Sequence, residues 1–287
     1  MRTFEINRTK ANPVCPCGRP NKDGKFATQK GYAGQPVGHC HSCNKDYWDG
    51  TVADDVGKYY HLPEPIDYCE SCTDAVNENF DTDLRSDFAK FLVKTFGKEN
   101  ADKVVEEYYL GVVGSLHERF QHSTIFWQID GNYKGRAGKI LSYDDKGKRK
   151  NYPTWWHSIT KLDCQIEQCF FGEHLLEKSD NSDKPIAVVE GAKTACIMSI
   201  ILPVYIWLSA EGLTGLSRAK CESIKRFDVT LFPDAGCYDQ WSEKAQEYGF
   251  KISVECEKSL ADGIINKGDD IADYYLNSYS PEILSTV

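Results

Sequence analysis

From residue 186 onward, short apolar runs alternate with amphipathic stretches. Residues 186–189, 204–208, 228–232 and 251–255 read as strands, and residues 191–201, 214–224, 240–248 and 269–277 as helices between and after them. Short apolar strands in that rhythm predict a parallel α/β sheet. Upstream the period changes. Leu84, Phe88, Phe91, Leu92, Phe96, Val104, Val105 and Tyr108 recur at helical spacing, with Gly97 as a break. Residues 123–143, STIFWQIDGNYKGRAGKILSY, hold two β-rich runs around Asp130-Gly131-Asn132, a hairpin pattern. Phe170-Phe171-Gly172 leads into a short helix at 173–178. Residues 51–83 are polar, acidic and Pro-containing and read as a linker, and residues 1–50 show little helical period. Four segments follow: 1–50, 51–114, 115–182 and 183–287.

Composition changes this picture in two places. The net charge is -9, yet residues 1–50 carry eight Lys and Arg against four Asp and Glu, and residues 131–161 eight against two. Two basic islands in an acidic chain suit phosphate tracking on one side and cation binding on the other. No apolar run reaches the roughly 20 residues of a membrane span. The start, MRTFEINRTK, lacks the apolar core of a secretory signal. The expected location is therefore the cytoplasm, where the 12 Cys are thiols or metal ligands rather than disulfides.

Cys15 and Cys17 in CPCGR, with Cys40 and Cys43 in HCHSC, form two short-spaced pairs, and two such pairs supply four ligands to one zinc ion. His39 or His41 could replace one thiol. Cys69 and Cys72 form a further pair in the linker and read as thiols outside the metal set. The remaining cysteines, Cys164, Cys169, Cys196, Cys221, Cys237 and Cys256, look like small packing residues.

Carboxylates close two of the parallel strands. Glu190 ends the first and Asp234, in LFPDAGCYDQW, ends the third; ligands of such sheets bind outside the carboxyl ends of the strands. Asp270 and Asp273, in KGDDIADYYL, follow the last strand, and Asp269 or Asp270 also suits a helix N-cap. Converging carboxylates repel unless a cation lies between them, and oxygen donors suit Mg²⁺ or Mn²⁺. Lys193 and Thr194 open the helix after Glu190, where backbone N–H groups can receive phosphate, although the spacing is not that of a P-loop.

EGAKTA at 190–195, PDAG at 233–236 and GDDIADYYL at 268–276 together resemble the TOPRIM domain of DnaG-type primases, topoisomerases and related nucleases. A zinc ribbon, then a basic segment, then TOPRIM is the order of bacterial and phage primases. FWQIDGNYKGRAG and CFFGEH are similar to that family's hairpin and to its aromatic-Gly step, and the chain looks most like compact primase-like proteins of Bacteroidetes mobile elements and phages. The resemblance covers most of the chain, less so residues 51–115. It implies an α/β TOPRIM fold, Rossmann-like with a mostly parallel sheet, preceded by a mixed α+β basic subdomain and a small β zinc ribbon.

The resemblance further implies a DNA primase that binds single-stranded DNA and nucleoside triphosphates and makes short RNA primers, with structural zinc, catalytic Mg²⁺ or Mn²⁺, and a separate helicase as partner. By position Glu190 matches the first TOPRIM acid and Asp234 the first acid of Asp-x-Asp. Gly236 departs from the pattern by standing where the second acid would be. Asp239, Asp270 or Asp273 must then complete the metal set, with Lys193 beside it. Arg136, Lys139, Arg149 and Lys150 match the basic stretch that would hold template or triphosphate, and Tyr152, Trp155 and Trp156 offer stacking surfaces or core packing. Two rival readings remain, a TOPRIM nuclease and a non-catalytic zinc-ribbon DNA-binding module.

Overall fold

The computed structural model describes residues 70–161 and 166–278, together with the backbone of four short strands before them. The chain divides into two compact units, residues 1–65 and 66–287. In the first, β1 (Ile6–Asn7), β2 (Phe26–Gln29), β3 (Gly38–Cys40) and β4 (Lys45–Tyr47) form an antiparallel sheet in chain order.

The second unit opens with α1 (Glu70–Glu78), a helix inside the segment that composition marks as linker. Cys72, Ala75 and Val76 are its buried positions, spaced as one helical stripe. Next comes α2 (Asp87–Tyr108). Ser86 caps it by accepting from the Ala89 amide at 3.2 Å, and Gly97, at φ +82°, breaks it where the sequence places a break. Leu84 lies in the turn before the helix, at φ +54°, rather than in its first turn.

Strands β5 (Gly111–Val112), β6 (Thr124–Ile129), β7 (Gly135–Leu141) and β8 (Thr154–Trp155) build an antiparallel sheet in that order. The predicted hairpin is β6–β7, with a bulge at Gln128/Ile129. Trp127, Ile125, Ile140 and Trp156 pack one face of this sheet with α1 and with α3 (Trp156–Thr160). Phe126 and Leu141 pack the other face into the main core, so both faces are covered.

The parallel sheet follows. It contains β9 (Ile186–Val189), α4 (Ala192–Ile201), β10 (Ile206–Ser209), α5 (Arg218–Ile224), β11 (Val229–Phe232), α6 (Tyr238–Tyr248), β12 (Lys251–Ile252), α7 (Glu255–Ala261) and α8 (Ile271–Ser278). The strand order is β10-β9-β11-β12, all parallel. Val189 is level with Ser209 on one side and Phe232 on the other, so the three longer strands end together.

Several boundaries differ from the sequence pattern, three of them for a visible reason. The helix expected at 214–224 starts four residues late, because Ser217 accepts from the Lys220 amide and sets its first turn. The strand expected at 251–255 stops at Ile252, and Ser253 receives the Glu255 amide where α7 begins. The last helix starts at Ile271 because Asp270 caps it. Among the described residues no helix is long and apolar enough to cross a membrane.

Candidate active site

The carboxyl edge of the parallel sheet forms one wall of a cleft of about 590 Å³, and β7 with the turn after it forms the other. Asp234, Asp269, Asp270, Asp273 and Glu211 line it from the first side. Lys139, Lys146, Lys148 and Arg149 line it from the second, and Lys193 stands among the acids.

Asp234 follows Pro233 at the end of β11. Its loop is bound to the loop before α8: the Ala235 amide donates to the Asp269 carbonyl and the Gly268 amide to the Ala235 carbonyl, both at 2.9 Å. That pair of hydrogen bonds brings Asp234 toward Asp270 and Asp273. Glu190, 9% exposed, receives the Asp234 amide at 3.4 Å. Burial first, then the carboxylates of Glu190, Asp270 and Asp273, push the Asp234 carboxyl up to about 8, with Lys193 only partly offsetting them. Burial also raises Glu190, although the Asp234 amide and the Cys237 thiol favour its charged form.

Asp270 and Asp273 cap α8 reciprocally. The Asp273 amide donates to Asp270 Oδ1 at 2.9 Å, and the Asp270 amide to Asp273 Oδ2 at 3.2 Å. Thr194 Oγ1 donates to Asp270 Oδ2 at 2.5 Å, which ties α4 to α8, and Lys193 Nζ lies 3.6 Å from Asp273 Oδ1. Burial, then Asp270, raises Asp273. These two acids therefore serve structure and cleft at once. Asp239 takes no part in the cleft lining; it is exposed in the first turn of α6.

Gly236 has a structural reason. Its φ is +86°, and a Cβ there would sit 3.1 Å from the Lys267 side chain. Its amide donates to Glu257 Oε1 at 2.7 Å, and the Tyr238 amide reaches the same oxygen at 3.3 Å. A carboxylate from α7 thus caps the turn. Among the described residues, no three His, Cys, Asp or Glu side chains are gathered closely enough to hold a metal ion by themselves.

On the basic wall, Asp144 Oδ1 accepts the amides of Lys146 and Lys148 at 2.9 and 2.8 Å, a tight turn presenting three cations. Gly147, at φ +72°, lies against Phe91, whose ring would be 2.7 Å from an added Cβ. Lys139 Nζ is 2.8 Å from Glu211 Oε2 and 6.0 Å above the Trp155 ring. Two expected cations stand elsewhere. Arg136 pairs with Asp130 at 2.6 Å and lines a separate small cavity. Lys150 faces Asp87 at 3.9 Å in a neighbouring hollow. Trp156 is a core residue, 9% exposed, whereas Tyr152 is 90% exposed.

Of the expected zinc ligands, Cys15, Cys17 and Cys43 lie outside the described residues. Cys40 closes β3, where the backbone alone is described. Cys169, Cys196, Cys221 and Cys256 are buried, as packing residues should be, and Cys237 is half-buried beside Glu190. Cys69 and Cys164 fall outside the described residues, and Cys72 is buried under α1.

Sequence patterning missed Glu211, Lys146, Lys148 and Glu257. The run DDKGKRK carried the signal for the two lysines but reads first as a polar turn. Glu211 follows the apolar run IWLS just as Asp234 follows VTLF, two residues past the strand.

Residues 86–235, more than half of the chain, match the model of a family described as Domain of unknown function (DUF6371). The chain belongs to this family. Glu190, Lys193, Asp234, Lys139, Arg149 and Glu211 all lie inside the matched span. No curated protein matches the chain. Among solved structures, the chain is similar to the primase fragment of the bacteriophage T7 primase-helicase protein, at 17% identity over 96% of this chain and 98% of that one, with a TM-score of 0.43. It is also similar to the RNA polymerase domain of Mycobacterium tuberculosis primase DnaG, at 13% identity over 75% and 81%, TM-score 0.47. A third likeness is to the zinc-binding and RNA polymerase domains of the Aquifex aeolicus primase, at 13% identity over 75% and 59%, TM-score 0.49.

Proposed function

We propose that this chain is a primase-like nucleotidyltransferase of DNA replication, with a TOPRIM domain that joins nucleotides into short RNA primers on single-stranded DNA. One observation carries the reading: an edge of carboxylates, Asp234, Asp270 and Asp273, with Glu190 bonded to the Asp234 amide, faces a wall of cations across a cleft of about 590 Å³. That volume suits a nucleotide. The two charge signs suit its metal-bound phosphates.

The donors fit a divalent cation. They are all oxygens, and Asp234 is pushed up to about 8 by burial and then by its acidic neighbours, whose repulsion a bound cation relieves. Glu190, Asp234 and an oxygen of Asp270 or Asp273 would hold Mg²⁺ or Mn²⁺, with waters and phosphate oxygens completing the shell. When bound, the cation supplies charge neutralisation and acidifies the primer 3′-hydroxyl. The chain's own groups do the rest. Glu190, buried and raised, takes up the proton of the attacking hydroxyl at its carboxylate. Lys146, Lys148 and Arg149 hold phosphate oxygens, and Lys193 keeps Asp273 charged and in place. Cys15, Cys17, Cys40 and Cys43 would hold a structural zinc. Strand separation would fall to a partner helicase, in the cytoplasm.

The test is incubation of the purified chain with single-stranded DNA, labelled nucleotides and Mg²⁺ or Mn²⁺, beside Glu190→Gln and Asp234→Asn. The reading requires short products from the wild type and a loss of at least about a hundredfold in each variant, the worth of several kcal/mol. Cut DNA without nucleotides would make the chain a TOPRIM nuclease. DNA binding equal in all three proteins, without products, would make it a binding module.

A further inference from the structure

Glu211 is an acid of the cleft that the proposed reaction does not use. It stands two residues past β10, at the same sheet edge as Glu190 and Asp234. Its side chain is 2% exposed. Oε2 lies 2.8 Å from Lys139 Nζ, a close ion pair set at an angle rather than along the N–H bond. Lys139 Nζ also donates to the Glu211 carbonyl at 3.2 Å, so one residue supplies both partners of this lysine.

Glu211 is fixed from behind. Its amide donates to Ser209 Oγ at 3.0 Å, and that hydroxyl donates to the Glu190 carbonyl at 2.9 Å. Lys220, 4% exposed, donates to the Ala210 carbonyl at 3.0 Å. The Glu211 backbone has φ +68°, a left-handed conformation that a residue with a Cβ enters only under constraint. A buried ion pair adds little stability over apolar side chains of similar volume. This pair stands in the cleft wall, so its effect falls on what the cleft binds.

That effect is a matter of charge. With Glu211 against it, Lys139 brings no net charge to the cleft. A bare polyphosphate then meets Asp234, Asp270 and Asp273 with only the turn cations and Lys193 in its favour. A polyphosphate carrying a divalent cation brings its own balance to that edge. We infer that Glu211 is a specificity-determining residue: by neutralising and fixing Lys139, it makes the cleft take polyphosphate as its divalent-metal complex and reject the bare anion. The inference rests on the reading of this cleft as a phosphate site.

Calorimetric titration of the full chain with inorganic tripolyphosphate, once in EDTA and once in Mg²⁺, tests it. The wild type should bind about tenfold or more tightly in Mg²⁺. Glu211→Gln should bind about tenfold more tightly than wild type in EDTA, the worth of one freed charge-assisted contact, and change little in Mg²⁺. Lys139→Met in the wild-type background should weaken binding in EDTA, because it leaves the Glu211 carboxylate unpaired in the cleft wall. Adding Lys139→Met to Glu211→Gln should abolish the gain. If Glu211→Gln shifts both titrations equally or neither, Glu211 is structural and the inference falls while the phosphate reading stands. If Glu211→Gln fails to fold by circular dichroism, the double variant decides alone: it removes a neutral pair and should bind in EDTA as the wild type does, and a tenfold loss there overturns the inference. If the wild type binds tripolyphosphate in neither condition, the phosphate reading fails and takes the inference with it.

Discussion

The parallel and the antiparallel sheet of residues 66–287 are both covered on two faces, yet they present chemistry in different places. In β9, β10 and β11 the charged groups come after the strands, at Glu190, Glu211 and Asp234, because parallel strands end along one edge. In β7 a charged side chain comes from within the strand, Lys139, and the remaining cations ride on the turn that follows. A parallel sheet collects its loops on one side and so can gather like charges, which must then be compensated. An antiparallel sheet sends successive loops to opposite ends. Here one of its ends faces the acids with Lys146, Lys148 and Arg149, while the other carries the Asp130–Arg136 pair.

The comparison breaks most sharply where the sheets join. Phe171 is fully buried, bonded to Ser209 at the edge of β10, stacked on Tyr108 and edge-on to Phe126 of β6. Phe171→Ala should cost about 3–5 kcal/mol in urea unfolding. If the sheets fold as one unit, near- and far-UV signals will still coincide; separate transitions would show two units instead.

The two regions should also answer pH in opposite directions. His174, buried under the hairpin turn with Nε2 2.9 Å from the Glu107 carbonyl, is lowered to about 4 by burial above all. Its contribution is present above 6.5 and is lost as pH falls toward 4, a drop of roughly 3 kcal/mol that His174→Phe should remove. Asp234 behaves in reverse. Its raised carboxyl contributes stability below 3.8 that is lost as pH rises to about 8. At a fixed concentration, Mn²⁺ should therefore stabilise the chain in thermal unfolding more at pH 8 than at pH 5, by about 2.7 kcal/mol at pH 8 if present at a hundred times its Kd there, and not in Asp234→Asn.

The smallest effect concerns the missing acid. Gly236→Asp should lose about 1–2 kcal/mol through its φ of +86° and gain no affinity in an Mn²⁺ titration. A tighter site would mean that the turn can reopen.

Much of this was legible in the chain. The apolar run IAVV is unambiguous because both its faces are buried, VTLF has one face buried and the other half-buried, and the acids closing them stand out by contrast. Glu211 escaped because the strand before it reads as 204–208, which leaves the acid three residues adrift in a loop; the true strand starts at Ile206 and ends at Ser209. Helix α1 escaped because six of its nine residues are polar or charged, and only the Cys72, Ala75, Val76 stripe betrays it. Arg136 stands apart from the cleft lining because it pairs with Asp130 six residues earlier, a partner that composition does not register. The reciprocal Asp270–Asp273 cap shows the limit from the other side: the same two acids suit a metal motif and a helix start in the sequence, and the structure shows the helix start.

The common height of the strand ends makes the site a matter of counting. Val189, Ser209 and Phe232 lie level, so each acid's reach is set by how many residues follow its strand. Deleting one residue from β11 would lower Asp234 by about 3.3 Å, roughly the width of an atom, and turn the rest of the strand inside out. An insertion of the same size in the loop after Gly212 would leave all three acids at their level. Length changes in this chain should therefore be tolerated or fatal according to which side of that line they fall, whatever residue they add.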